Sequence, residues 1–126
     1  MNTELLHRTV ETFNARRFDE AAALAADALA EATGRDELFW LGLRETCEGF
    51  AHVAAGRLSQ AQPLMADAMV KLRNFGFRYH DVEVTSVLAG LRRAVEEIRT
   101  VGEGRRRAFD MSLLPRIRLS RKADEV

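Results

Sequence analysis

A chain of 126 residues with 47% apolar and 30% charged side chains is long enough for one domain with its own core, and too apolar for a disordered polymer. The formal net charge of zero excludes a global field that recruits nucleic acid or membrane. The balance is nevertheless uneven: residues 104–126 carry Arg105, Arg106, Arg107, Arg116, Arg118, Arg121 and Lys122 against Asp110, Asp124 and Glu125, a net of +4 that leaves −4 on residues 1–103. Cys47 stands alone, which excludes an internal disulfide and fits a reducing, cytoplasmic setting. The opening MNTELLHRTVE lacks a basic stretch followed by an apolar run, so no secretion signal is expected. No apolar run approaches the roughly 18–20 residues that span a bilayer.

Leu5, Leu6, Thr9, Val10 and Phe13 recur at helical spacing and predict a first helix over residues 4–15, with Thr3 as its cap. Asp19 is expected to cap a second helix with a buried stripe of Phe18, Ala21, Ala25, Ala28, Leu29 and Ala32, ended by Gly34. With Asp36 as cap, a third helix over residues 37–55 buries Phe39, Leu43, Cys47, Phe50 and Ala54 and stops at Gly56. Ser59 and Gln62 read as a capping box for a fourth helix, with Pro63 in or beside its first turn, where a missing N–H costs little. Leu64, Met65, Ala68, Met69 and Leu72 form its apolar face.

Residues 77–80 read as a loop, and Asp81 as the cap of a fifth helix. That helix has Val84, Val87, Leu88, Leu91, Val95 and Ile98 on one side and Arg92, Arg93, Glu96, Glu97 and Arg99 on the other. Gly102 and Gly104 end it. The remainder, with Phe109, Leu113, Leu114, Pro115, Ile117 and Leu119, is too apolar for a free tail and is expected to dock in extended form, because Pro115 disfavours helix at Leu114. No strand pattern competes. The division is a helical bundle over residues 1–103 and a basic, partly docked tail over 104–126.

An internal repeat fixes the architecture. Residues 17–29 (RFDEAAALAADAL) and 57–69 (RLSQAQPLMADAM) lie forty positions apart and agree at six of thirteen positions. Two copies imply two stacked antiparallel helical hairpins, and the whole reads as an all-α five-helix bundle with an extended C-terminal tail. Gly/Ala-Arg-[Phe/Leu]-x-x-Ala between two helices resembles tetratricopeptide hairpins.

A closer resemblance covers roughly residues 5–100. The run from Phe13 through Asn14 and Phe18 to Glu20-Ala21 is similar to the "FNxxxFxEA" of a small prokaryotic helical family, domain of unknown function 309. Gly42-Leu43, His52 with Gly56, the segment from Gln60-Ala61 to Leu72, and Leu114-Pro115-Arg116-Ile117 are similar to later landmarks of that family. The resemblance implies the fold. It also exposes a departure: where the family carries His-Glu-x-x-Glu on its second helix, this chain has Ala22, Ala23 and Ala26.

One constellation could carry chemistry. At 100° per residue, Glu45, Glu48 and His52 fall within about 60° of one another, away from the Phe39–Cys47 stripe. Two carboxylates and an imidazole could bind a cation or move a proton, with His7 and Glu11 as further donors from the first helix. The plainer alternative is a solvated polar face with Glu48 and His52 as an i, i+4 pair. Cys47 lies on the buried stripe without a basic neighbour, as a structural thiol does. The His80-Asp81 pair reads as loop and helix cap. Trp40 projects away from the core stripe and reads equally as a partner anchor or as hairpin packing; Arg105, Arg106 and Arg107 are further partner-binding candidates. Phe109 is the only aromatic beside the arginine triple, which argues against nucleic acid as the partner.

The reading is a non-enzymatic scaffold that binds a protein partner or small ligand in an inter-helix groove, without cofactor or membrane. The alternatives are a metal-binding or hydrolytic protein using the third helix, and weak nucleic-acid binding through the basic tail. Two repeats are fewer than the three or so that stabilise a solenoid, so a second subunit is expected to cover what the fifth helix and tail leave bare. Light scattering at micromolar concentration should then report a dimer, and a strict monomer would show that helix and tail suffice.

Overall fold

The computed structural model describes residues 1–120; Arg121, Lys122, Asp124 and Glu125 of the basic tail lie outside the described residues. The fold is all-α, with five helices in chain order: α1 (Thr3–Asn14), α2 (Phe18–Glu31), α3 (Arg35–Ala54), α4 (Leu58–Leu72) and α5 (Val84–Gly102). Each packs on the next, so α3 lies between α2 and α4. No described helix is long and apolar enough to cross a membrane.

The repeat has a geometric basis. Arg16 and Gly56 both take left-handed backbone conformations, with φ of 68° and 78°. The following residues, Arg17 and Arg57, then share nearly the same angles, φ −94° ψ 69° and φ −97° ψ 67°. The Arg17 amide donates to the Thr12 carbonyl (3.1 Å) and the Arg57 amide to the His52 carbonyl (2.8 Å), so one helix-ending motif closes α1 and α3 alike. Each copy starts its helix one residue past the arginine. Ala21, Ala25 and Ala28 in one, and Ala61, Met65 and Ala68 in the other, are buried at matching positions, and Phe18 is buried in the first copy besides.

These starts displace the predicted caps. The α1 cap is Asn2, whose side chain accepts from the Leu5 amide (3.0 Å), and Thr3 is the first helical residue. Neither Asp19 nor Ser59 caps its helix, because the motif delivers the chain already turning at Phe18 and Leu58. Pro63 therefore sits inside α4, a turn deeper than expected, on its exposed side. Gly34, not Asp36, precedes α3, and Glu83, not Asp81, precedes α5.

Because α3 is covered on two sides, a single apolar stripe underestimates its burial. Thr46 and Val53 are buried beside Phe39, Leu43, Cys47 and Phe50, and Trp40 is only 2% exposed, packed edge-on against Phe39. Trp40 is thus core rather than partner anchor. Ala54, expected inside, is exposed in the last turn. Gly42 and Gly49 let α4 approach: a β-carbon at either would lie 2.9 Å from the Leu72 or Met65 side chain.

Between α4 and α5 the predicted loop contains a small antiparallel hairpin, β1 (Arg78–Tyr79) and β2 (Val82–Glu83), with His80 at φ 50° in its turn. Two-residue strands are too short to leave an alternating pattern in the sequence. The tail supplies a third line of main chain. It runs antiparallel to α5, through a 3-10 turn at Met111–Leu113, and ends beside β2, where Leu119 bridges Val82. Glu83 donates its amide to Arg118 (3.0 Å), and Ser120 donates to Asp81 (2.7 Å). Phe109 and Ile117 are buried in the common core.

Pro115 rests on Gly90 of α5, where a β-carbon would come within 2.6 Å of the proline ring. Gly90→Ala improves helix propensity by about 1 kcal/mol but drives a methyl into a rigid ring, at a cost of about 1–3 kcal/mol. The variant is expected to unfold at lower denaturant, with faster amide exchange at Ile117. Adding Pro115→Ala should restore part of the loss.

Candidate functional site

The candidate cluster on α3 does not assemble. Glu45 turns to α4, where its Oε1 lies 2.8 Å from Lys71 Nζ as an ion pair without hydrogen-bond alignment. Glu48 meets Arg44 of its own helix at 3.6 Å. His52 accepts at Nδ1 from Arg57 Nε (2.8 Å), so it belongs to the turn that closes α3. Sharing a stripe put these three side chains on one side of the helix, but each found a different counter-group. Of the donors expected from α1, His7 pairs with Asp81 in the hairpin turn (2.8 Å), while Glu11 is exposed. Among the described residues no three His, Cys, Asp or Glu side chains are placed to hold a metal ion. Cys47 is fully buried, and burial followed by the nearby Glu48 charge pushes its thiol well above the usual range.

The tail arginines divide in the same way. Arg106 reaches the buried Glu97 of α5 (3.1 Å), and Arg105 meets Glu103 (3.5 Å). Arg107 is exposed and has no ion pair among the described residues. Glu97, expected on the solvent side of α5, is 5% exposed and also accepts the Asp110 amide (3.0 Å). It therefore fixes the start of the docked tail.

α1 grips the far end of the tail by its main chain. The Asn14 carboxamide donates to the Ile117 carbonyl (3.0 Å) and accepts from the Ile117 amide (2.8 Å). Arg16 donates to the carbonyls of Leu114 (3.0 Å) and Pro115. Beside this grip lies an open groove of about 940 Å³ between α1, the first half of α5 and residues 114–119. Glu11, Asn14, Glu83, Arg93, Arg116 and Arg118 supply its polar lining, and Phe77, 64% exposed, an aromatic face. The sequence marks none of these residues as lining a groove, and Glu11 only as a donor to the α3 cluster, because the tail creates the groove by folding back.

A second cluster was also missed. Asp36, in the first turn of α3, accepts from the Tyr79 hydroxyl and lies 3.3 Å from both His80 Nε2 and the Met1 amino group. The Tyr79 hydrogen bond is the main cause of a carboxyl held below its ordinary range. Burial, then Asp36, raises the Tyr79 hydroxyl. Phe39, Phe75 and Tyr79 stack around it, with the Arg35 guanidinium 4.7 Å above the Phe75 ring. The cluster ties the hairpin to α3, and its signal in the sequence was hidden behind the reading of Asp36 as a cap.

No protein-family model matches the chain, and no curated protein or solved structure matches it either. On α2, at the positions where the resemblance to domain of unknown function 309 implies His-Glu-x-x-Glu, Ala23 is exposed and Ala22 and Ala26 are half-buried.

Because the folded-state value of Asp36 lies below its unfolded value, its stabilising contribution is complete above the ordinary carboxylate range and is lost as pH falls through the lowered value. Tyr79→Phe should move the Asp36 titration, followed by NMR, upward toward the ordinary value. An unmoved titration would show that the hydroxyl is not the cause.

Proposed function

We propose that the chain is a non-enzymatic helical scaffold that binds a protein partner or ligand in the groove between α1, α5 and the tail. The observation that carries this reading is that groove itself: about 940 Å³ of open space, with an exposed aromatic ring and both signs of charge on its walls. Binding grooves of this size combine apolar contact with a few oriented polar groups. Glu45, Glu48 and His52 of α3, by contrast, already have structural counter-groups, and Ala22, Ala23 and Ala26 offer no donors to a facing helix. The tetratricopeptide-like repeat supports the same reading, since stacked hairpins bind along their surfaces rather than at a reactive centre. A second copy of the chain, covering what helix and tail leave bare, belongs to this proposal.

The test is amide chemical-shift mapping of the full chain against a fragment and short-peptide library, with zinc and magnesium ions as separate probes. Shifts should cluster at Glu11, Phe77, Ser86 and Arg93, and Phe77→Ala should weaken the hits about tenfold, the loss of roughly 1.4 kcal/mol. Hits confined to α3, or metal binding abolished by Glu48→Ala, would overturn the proposal in favour of a metal-dependent protein.

A further inference from the structure

Folding sorts the charges of this chain. Several cations before α2, on α3 and α4, and around the end of α5 are engaged: Arg17 with Glu20, Arg44 with Glu48, Lys71 with Glu45, Arg99 with Glu96 and Glu103, Arg105 with Glu103, and Arg106 with Glu97. Arg8, Arg73, Arg92, Arg93, Arg107, Arg116 and Arg118 are exposed, without a carboxylate within ion-pair distance among the described residues. Five of these seven belong to α5 or to the tail that runs beside it. The buried Ile117 lies between Arg116 and Arg118, so these two guanidiniums leave the extended tail on the same, outer side, about 7 Å apart at the rise of an extended chain. Arg93, Arg116 and Arg118 line the same groove as the exposed ring of Phe77.

We infer that this groove is a docking surface for single-stranded nucleic acid, with Arg93, Arg116 and Arg118 tracking the phosphates and Phe77 offering a face on which a base stacks. The inference rests on the groove being a binding surface and names its ligand class. An extended polymer suits guanidiniums set along an extended strand, and an aromatic face beside them separates a nucleic acid from an acidic polypeptide, which would have no use for a stacking platform. Glu11 and Glu83 on the groove wall oppose phosphate and hold the affinity down, so the binding is weak and sensitive to salt. The folded chain supplies what the sequence lacked. Phe109, the tail's own aromatic, is buried, and Phe77 arrives from the hairpin instead.

The test is fluorescence anisotropy of labelled oligothymidylate and oligouridylate with the full chain, across a salt series. If the three groove arginines engage, affinity should fall roughly twentyfold between about 50 and about 200 mM salt, at about 0.7 in log–log slope for each phosphate neutralised. Arg116→Gln with Arg118→Gln should lower that slope by about 1.4, and Phe77→Ala should weaken binding several-fold without changing it. The substituted side chains are exposed, so amide spectra should stay native-like. Absence of binding at low salt, binding unchanged after substitution of Arg93, Arg116 and Arg118, or equal binding of polyglutamate with Phe77→Ala silent would overturn the inference. If the oligonucleotides fail while library peptides still map to the groove, the scaffold reading stands and only the ligand class falls.

Discussion

A carboxylate removed from water must be met by charge and hydrogen bonds, and Glu97 meets this condition only with the tail in place. Its two oxygens take the Arg106 guanidinium and the Asp110 amide, both from the chain beyond α5. Both partners come from the tail, so the burial of Glu97 and the docking of the tail go together. The groove depends on the same contact. Residues 114–119 form one wall of it, and their path is set by Glu97 at one end and by Asn14, Arg16 and β2 at the other.

The helices were legible because α1 and α5 carry clean one-sided stripes and because a duplicated segment announced its own period. What was not legible follows from three physical causes. A central helix flanked by two neighbours buries most of its circumference, so Trp40 could not be separated from the surface by a single stripe. Caps were assigned to Asp19, Ser59 and Asp81 from residue type, but the chain enters those helices from turns already closed by main-chain hydrogen bonds or strand pairing. Side-chain partners more than seventy residues apart, such as His7 with Asp81 or Asn14 with Ile117, leave no local trace at all.

The α3 stripe shows the limit of spacing as an argument for chemistry. Glu45, Glu48 and His52 do share a side of the helix, yet a site needs their functional atoms to converge. Length and flexibility let each reach its own nearest counter-charge, on α4, on α3 itself or in the following turn. The tail resolves the opposite way. Its arginines looked like one basic run, and folding divided them into Arg105 and Arg106, which hold the structure, and Arg107, Arg116 and Arg118, which face outward.

The left-handed turn that ends α1 uses arginine where its twin at the end of α3 uses glycine. Glycine adopts that conformation at no steric cost, and arginine does not. In return Arg16 holds the carbonyls of Leu114 and Pro115, which Gly56 could not do. The two hairpins are therefore no longer interchangeable: one has become the fastening for the chain's far end. An open repeat array can lengthen by inserting another unit. Here a hairpin added between α4 and α5 would carry the tail away from Asn14 and Arg16, so the duplication stops at two and the array is closed on itself.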